Sequence, residues 1–257
     1  MEFDVFGSAD AAADAGGGAV VDGEADTSDG AAERDCLFVL GWGNRPDHEP
    51  VRWLIDRLVA DGWRVHTATL PVHVRNVRHE WVAPVERYAA DLDEFALLGH
   101  SAGGLTAAHA RVSGVTTRTY LSPWWGYPPA TSGPLPSLLA KIPADAKVLP
   151  SGMAGPHLLG EYATERQLRE TPSRVSPRFL RATREAHDRL PAIDDDAVVF
   201  CSLSDRVVST RAIGDRVNSD HIVLYDGGHE LFSSASREDH LETLLDVLAD
   251  GSDTLAG

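Results

Sequence analysis

Strand-like and helix-like segments alternate along this sequence, which predicts an α/β fold: a mostly parallel sheet of about six strands with helices on both faces. Two further observations support it. The strand-like runs, "DCLFVLG" (35–41) and "AVVFCSLS" (197–204) among them, are short and almost wholly apolar, as strands covered on both faces must be. With 257 residues, 43% of them hydrophobic, the chain can also bury one sizeable core.

The run 35–41 ends in Gly41-Trp42-Gly43, where a strand gives way to a loop. In "PDHEPVRWLIDRLVADG", Val51, Leu54, Ile55, Leu58 and Val59 recur at helical spacing, and Asp61-Gly62 supplies a stop. The pattern then predicts a strand near 63–70, a helix near 80–93, a strand at 95–100, a helix from Ala102 to about Val112 and a strand near 115–122. It resumes with strand 197–204, a helix near 209–217, a strand at 221–226 ("HIVLYD") and a last helix near 236–249. Right-handed crossovers should join the parallel strands.

Eleven of the 15 prolines fall in 122–191, which excludes long regular elements there. Residues 123–191 therefore read as an insertion over the sheet, with short helices near 154–170 and 177–190. Such a segment serves either as a lid that shapes a pocket or as a cover over apolar surface. The core would comprise 34–122 and 192–250, with 251–257 a C-terminal tail.

Charge is spread unevenly. Residues 1–33 hold nine of the 39 acidic residues and no Lys or Arg, in an Ala/Gly/Asp-rich stretch with too little apolar surface to offset the entropy of ordering. A disordered acidic tail is expected, either dispensable or an interaction segment. The net charge of −16 argues against nucleic acid and anionic membrane as partners. No run approaches the roughly 18 apolar residues of a spanning helix, and no basic patch leads into an apolar core at the N-terminus, so a soluble cytoplasmic protein without an integral membrane segment is expected. Cys36 and Cys201 lie inside predicted strands and read as buried, reduced thiols.

The chemistry centres on "FALLGHSAGGLTAAHA" (95–110). An apolar strand enters Gly99-His100-Ser101-Ala102-Gly103 and a helix leaves it, a strand-to-helix turn that exposes a serine at a helix N-terminus. A serine hydroxyl needs a base and an orienting acid to act as a nucleophile. Both should follow in the order acid, then histidine, each just past the carboxyl end of a strand. Asp205 follows the strand 197–204, whereas Asp194-Asp195-Asp196 precede it and lie at the wrong edge. His229 follows the last strand through Gly227-Gly228 in "LYDGGHELF". His73 and His79 lack ligand-type neighbours at metal-binding spacing, and His100 should pack, so no metal site and no cofactor are expected. Trp124, Trp125 and Tyr127 in "SPWWGYPP" fit either an apolar acyl pocket or packing beneath the insertion.

The elbow Gly-His-Ser-Ala-Gly-Gly, the acid loop "SLSDRVVS" and the histidine loop "YDGGHELF" resemble the α/β-hydrolase superfamily. Within it, the last two segments are similar to monoacylglycerol lipases and lysophospholipase-like carboxylesterases, where Val-Val follows the acid and Glu follows the histidine. The likeness covers about 35–122 and 192–250, and 123–191 stands where that family inserts a helical cap. Two features depart from the pattern. Residues 1–33 leave no room for the usual two antiparallel strands before the first parallel one, and the loop usually reading His-Gly-x reads Leu40-Gly41-Trp42-Gly43-Asn44.

The resemblance implies a serine hydrolase that cleaves carboxylic esters of small or medium acyl groups through Ser101, His229 and Asp205. Backbone N–H groups of Ala102 and Trp42 would hold the oxyanion, with Gly43 the alternative to Trp42. A thioesterase, a short-peptide hydrolase and a non-catalytic binding protein are the rival readings, and a small acyl compound is the expected partner. A serine at the elbow disfavours the superfamily's dehalogenase and epoxide hydrolase chemistry, which uses aspartate.

Only two basic residues, Lys141 and Lys147, are lysines and the other 21 are arginines. With the acidic excess this resembles proteins of salt-in halophiles, although a GC-rich genome also favours arginine. If the surface is adapted to salt, where charge repulsion is screened within about 3 Å at 1 M, stability rises with salt. The thermal unfolding midpoint should therefore increase between about 0.1 and 3 M KCl, and an unchanged midpoint would remove the salt-adapted reading.

Overall fold

The computed structural model describes residues 1–7, 34–128, 139, 142, 144–151 and 155–255. Strands run over Glu2–Phe6 (β1), Arg34–Val39 (β2), Trp63–Thr69 (β3), Phe95–His100 (β4), Val115–Leu121 (β5), Leu149–Pro150 (β6), Arg174–Val175 (β7), Val198–Cys201 (β8) and Ile222–Leu224 (β9). Helices are Glu49–Ala60 (α1), Ala83–Ala89 (α2), Ala102–His109 (α3), Pro156–Leu159 (α4), Glu165–Glu170 (α5), Pro177–Asp188 (α6), Thr210–Gly214 (α7) and Leu241–Asp250 (α8).

Seven strands form one sheet in the order β1-β3-β2-β4-β5-β8-β9. From β3 to β9 the six strands are parallel, as expected. Along each, successive side chains enter opposite cores, as the two-residue period of a strand requires. Leu37, Val39, Leu97 and Val199 pack on the face of α2, α3 and α6, while Phe38, Leu98, Val198 and Phe200 pack with Leu54, Ile55 and Leu58 of α1 and Leu244, Val247 and Leu248 of α8. Two apolar faces explain why these strands lack any polar alternation in the sequence.

The N-terminal expectation needs correction. Glu2–Phe6, assigned above to the disordered tail, is an antiparallel edge strand paired with β3 from Glu2↔Thr69 to Phe6↔Val65. Phe3 stacks on Tyr88 at 4.1 Å and Phe6 packs beneath the Arg52 guanidinium, so these five residues do bury apolar surface. Residues 8–33 of the expected tail lie outside the described residues. At the other end, Gly251–Leu255 is a 3-10 helix rather than a tail, with Leu255 packed on the α1/α8 core.

Strand β8 stops short of its predicted limit where the chain turns at Ser202, whose hydroxyl donates to Gly227 O at 2.7 Å, and β9 covers only Ile222–Leu224 of the predicted 221–226. The predicted helix 80–93 begins as a π-helix, Arg78–Val82, where Ala83 N–H reaches back to Arg78 O and the next residue, Pro84, has no N–H to give. The described parts of segment 123–191 pack on the loops that leave the carboxyl ends of the strands. Phe179 of α6 lies against Trp42, and the backbone of 158–162 bonds to His229, Glu230 and Ser233. Among the described residues no helix is long and apolar enough to cross a membrane.

Candidate active site

Ser101 joins β4 to α3 with φ 53° and ψ −119°, a conformation that costs a non-glycine residue roughly 1–3 kcal/mol. Backbone bonds hold it there: its N–H donates to Leu121 O at 3.0 Å, and its carbonyl accepts from Leu105 N at 3.1 Å and Trp124 N at 2.9 Å. The flanking glycines make room for the turn. A Cβ on residue 103 would sit 2.0 Å from Val39 O, and one on residue 99 would sit 2.9 Å from the Gly104 Cα.

The Ser101 hydroxyl lies 2.8 Å from His229 Nε2, and His229 Nδ1 lies 2.7 Å from Asp205 Oδ2. With Nδ1–H donating to the carboxylate, Nε2 offers its lone pair to the hydroxyl. The other Asp205 oxygen accepts from Val207 N at 2.7 Å and Val208 N at 3.1 Å, so the Val-Val pair supplies backbone donors that aim the acid. Burial works against charge on both groups. On Asp205 the histidine and the two N–H donors outweigh it and hold the carboxyl below its ordinary value. On His229 the Asp205 charge and hydrogen bond, with a smaller contribution from Glu230, outweigh burial and raise the imidazole above its ordinary value.

Tyr225 anchors the histidine loop: its hydroxyl donates to the carbonyls of Gly228 and His229, both 2.9 Å away, and lies 2.9 Å from the Ser122 hydroxyl. His100 is buried edge-on against Phe232 and beside His229, and burial drives its imidazole well below the ordinary range. His73 and His79 are exposed, and Asp194 pairs with Arg118 at the start of β8, the end remote from Asp205. Cys36 and Cys201 are buried free thiols, pushed up to about 12 and about 11 by burial. No group of three or more His, Cys, Asp or Glu among the described residues is placed to hold a metal ion.

Ser101, Ala102 and Trp42 line a common cavity of about 270 Å³, together with Trp124 and Tyr127. Gly43 lines a different, more open cavity with Met1 and Arg45. Trp125 needs correction as a substrate-binding candidate. It is buried against Tyr120 at 4.8 Å and donates from its indole to Gly104 O at 3.3 Å, so it packs under α3 while its neighbour Trp124 faces the cavity.

Glu230 and its partners are the part of the site that residue-by-residue reading missed, although the His-Glu pair marked the place. Glu230 is 1% exposed and makes no ion pair with Lys or Arg among the described residues. It accepts instead from Asn44 Nδ2 at 3.0 Å, Gln167 Nε2 at 2.8 and 3.1 Å, and Ser233 Oγ at 2.5 Å. One side chain thus ties the Gly41–Asn44 loop, α5 and the histidine loop together. Glu230→Gln would turn an amide NH₂ toward these donors and should cost about 1–3 kcal/mol, lowering the thermal midpoint by several degrees. A midpoint within about one degree of the wild type would show that the network contributes nothing.

Residues 36–242 match the alpha/beta hydrolase family. The fold is similar to that of a monoacylglycerol lipase from Paleococcus ferrophilus (20% identity, TM-score 0.67, covering 83% of this chain and 93% of that one). It is also similar to an esterase from Exiguobacterium antarcticum (16% identity, TM-score 0.57, 84% and 92% covered) and to a structure from work on carboxylesterases of Nitrososphaera gargenis (13% identity, TM-score 0.60, 96% and 94% covered). No curated protein matches the sequence. With the family matched across most of its length and the seven-stranded sheet in place, the chain belongs to the alpha/beta hydrolase family.

Proposed function

We propose that this hydrolase cleaves carboxylic esters of small or medium acyl groups, with Ser101 as nucleophile, His229 as general base and then acid, and Asp205 as the orienting carboxylate. The observation that carries the proposal is the unbroken hydrogen-bond chain from Asp205 Oδ2 through His229 to Ser101 Oγ, ending at a cavity. As Ser101 Oγ attacks the ester carbonyl, His229 Nε2 takes its proton and Asp205 stabilises the imidazolium. The imidazolium then protonates the departing alcohol, leaving an acyl-enzyme. Water, deprotonated by the same nitrogen, releases the acid.

The N–H groups of Ala102 and Trp42 are the proposed oxyanion donors. Both residues line the cavity with Ser101, and neither N–H donates to another group among the described residues. Losing one such donor typically costs about 3–4 kcal/mol of transition-state stabilisation. Segment 123–191 acts as a cap in this reading, since Phe179 and Leu180 of α6 form part of the cavity wall.

Covalent labelling with a fluorophosphonate probe at high KCl tests the nucleophile. The wild type should label, and Ser101→Ala and His229→Ala should not. A folded wild type that stays unlabelled and hydrolyses no p-nitrophenyl ester would overturn the proposal. The pH profile gives a second test. The base must be neutral, and its pKa is raised from 6.5, so kcat/KM should fall tenfold per pH unit below a midpoint that lies above 6.5. Asp205→Asn removes the carboxylate that raises the imidazole, so the midpoint should move to lower pH while kcat drops about 10³–10⁴-fold. A limb that did not move would mean that Asp205 does not govern the histidine.

A further inference from the structure

The cavity beside Ser101 has apolar walls and a cationic lining. Its only charged side chains among the described residues are those of Arg184 and Arg206. Among the described residues no carboxylate lines it, in a chain with 39 acidic residues against 23 Lys and Arg. The undescribed positions of segment 123–191 (129–138, 140, 141, 143 and 152–154) contain no Asp or Glu either, and Lys141 is their one charged residue.

The two arginines come from different parts of the chain. Arg206 directly follows the triad acid, and Arg184 stands on α6 with its guanidinium 5.0 Å from the centre of the Tyr127 ring, which is in turn held by a 2.8 Å hydrogen bond to Thr183. Several arginines elsewhere meet carboxylates, Arg52 with Asp56, Arg64 with Asp35, Arg118 with Asp194 and Arg166 with Asp47, while others make no ion pair among the described residues. Arg206 makes no ion pair among the described residues. Apolar walls lower the local dielectric, so cations beside them attract an anion more strongly than they would in open water. A planar guanidinium is also matched to carboxylate and phosphate oxygens.

We propose that the site selects esters bearing an anionic group, carboxylate or phosphate, set off from the scissile carbonyl by an apolar spacer, with Arg206 and Arg184 as the specificity determinants. The proposal rests on the serine hydrolase reading above. The spacer lies along Phe179, Leu180 and Val207 while the anion meets the arginines. The charge sits in either the acyl part or the alcohol part of the ester.

The test compares kcat/KM for four esters: p-nitrophenyl butyrate, its acyl-charged analogue mono-p-nitrophenyl glutarate, the alcohol-charged butyryl ester of 4-hydroxybenzoate, and a p-nitrophenyl ester of a trimethylammonium acid. Each is corrected for its uncatalysed rate. One anionic ester should exceed the neutral one about tenfold or more and the cationic one by a larger factor. Whichever anionic ester leads assigns the charge to the acyl or the alcohol side. In Arg206→Gln, and separately in Arg184→Gln, the anionic-to-neutral ratio should fall about tenfold. A ratio at or below one in the wild type, or unchanged in both variants, would overturn the inference while hydrolysis of the neutral ester leaves the serine hydrolase reading standing. If no ester is cleaved and the fluorophosphonate does not label, both fall together.

Discussion

Everything at this site depends on the backbone of Ser101. The residue sits at positive φ, and the turn closes only because α3 comes so near the sheet that no side chain fits at position 103 against Val39 O. That approach is what brings the end of β4, the start of α3 and the loop after β2 to one point. The strain is offset by three backbone bonds, from Ser101 to Leu121, Leu105 and Trp124, so the position of Ser101 is tied to β5 and to the start of segment 123–191 as well as to its own strand. A serine held this way needs no reorganisation to meet His229 Nε2, 2.8 Å away.

The histidine reaches the serine by a longer route. β9 ends at Leu224, and the chain must then carry an imidazole back across the end of β8 toward β4. Segment 123–191 takes part in building that loop. Leu158 and Leu159 accept from the N–H groups of His229 and Glu230 at 2.8 Å, and Ser233 O accepts from Tyr162 N at 2.7 Å. A segment that the sequence presents as an addition to the core is therefore structural support for His229. Tyr225 completes the support from beneath, with its buried hydroxyl against the Gly228 and His229 carbonyls.

Most of this fold was legible because the signals were local. β4 falls on the predicted 95–100, and the order of strands and helices in the core follows the apolar periodicity. Ser101, Asp205 and His229 were each marked by position after a strand and by neighbouring glycines or turn residues, and the structure brings the three within hydrogen-bonding distance. β1 was hidden by averaging: Glu-Phe-Asp-Val-Phe occupies five residues, and the following Ala/Gly/Asp-rich stretch masks it when 1–33 is read as a unit. Trp124 and Trp125 stood between pocket and packing because sequence spacing does not separate adjacent aromatics, and the chain turns them to different environments. The Glu230 network was not legible beyond Ser233, since its amide donors Asn44 and Gln167 stand 186 and 63 positions away and only the folded chain brings them together.

Two carboxylates flank His229, and their different partners explain how both can raise one imidazole. Asp205 spends one oxygen on the imidazole and the other on backbone N–H groups. Glu230, the next residue in the chain, turns its carboxylate away to two amides and a hydroxyl, all neutral. A lysine or arginine in that role would satisfy the oxygens equally well, but its positive charge would cancel the field of the carboxylate at the ring. Neutral donors solvate the buried charge without neutralising it, so Glu230 still raises the imidazole through space. The same residue that locks the Gly41–Asn44 loop thereby adds to the basicity of its neighbour, and position and proton affinity are set by one buried group.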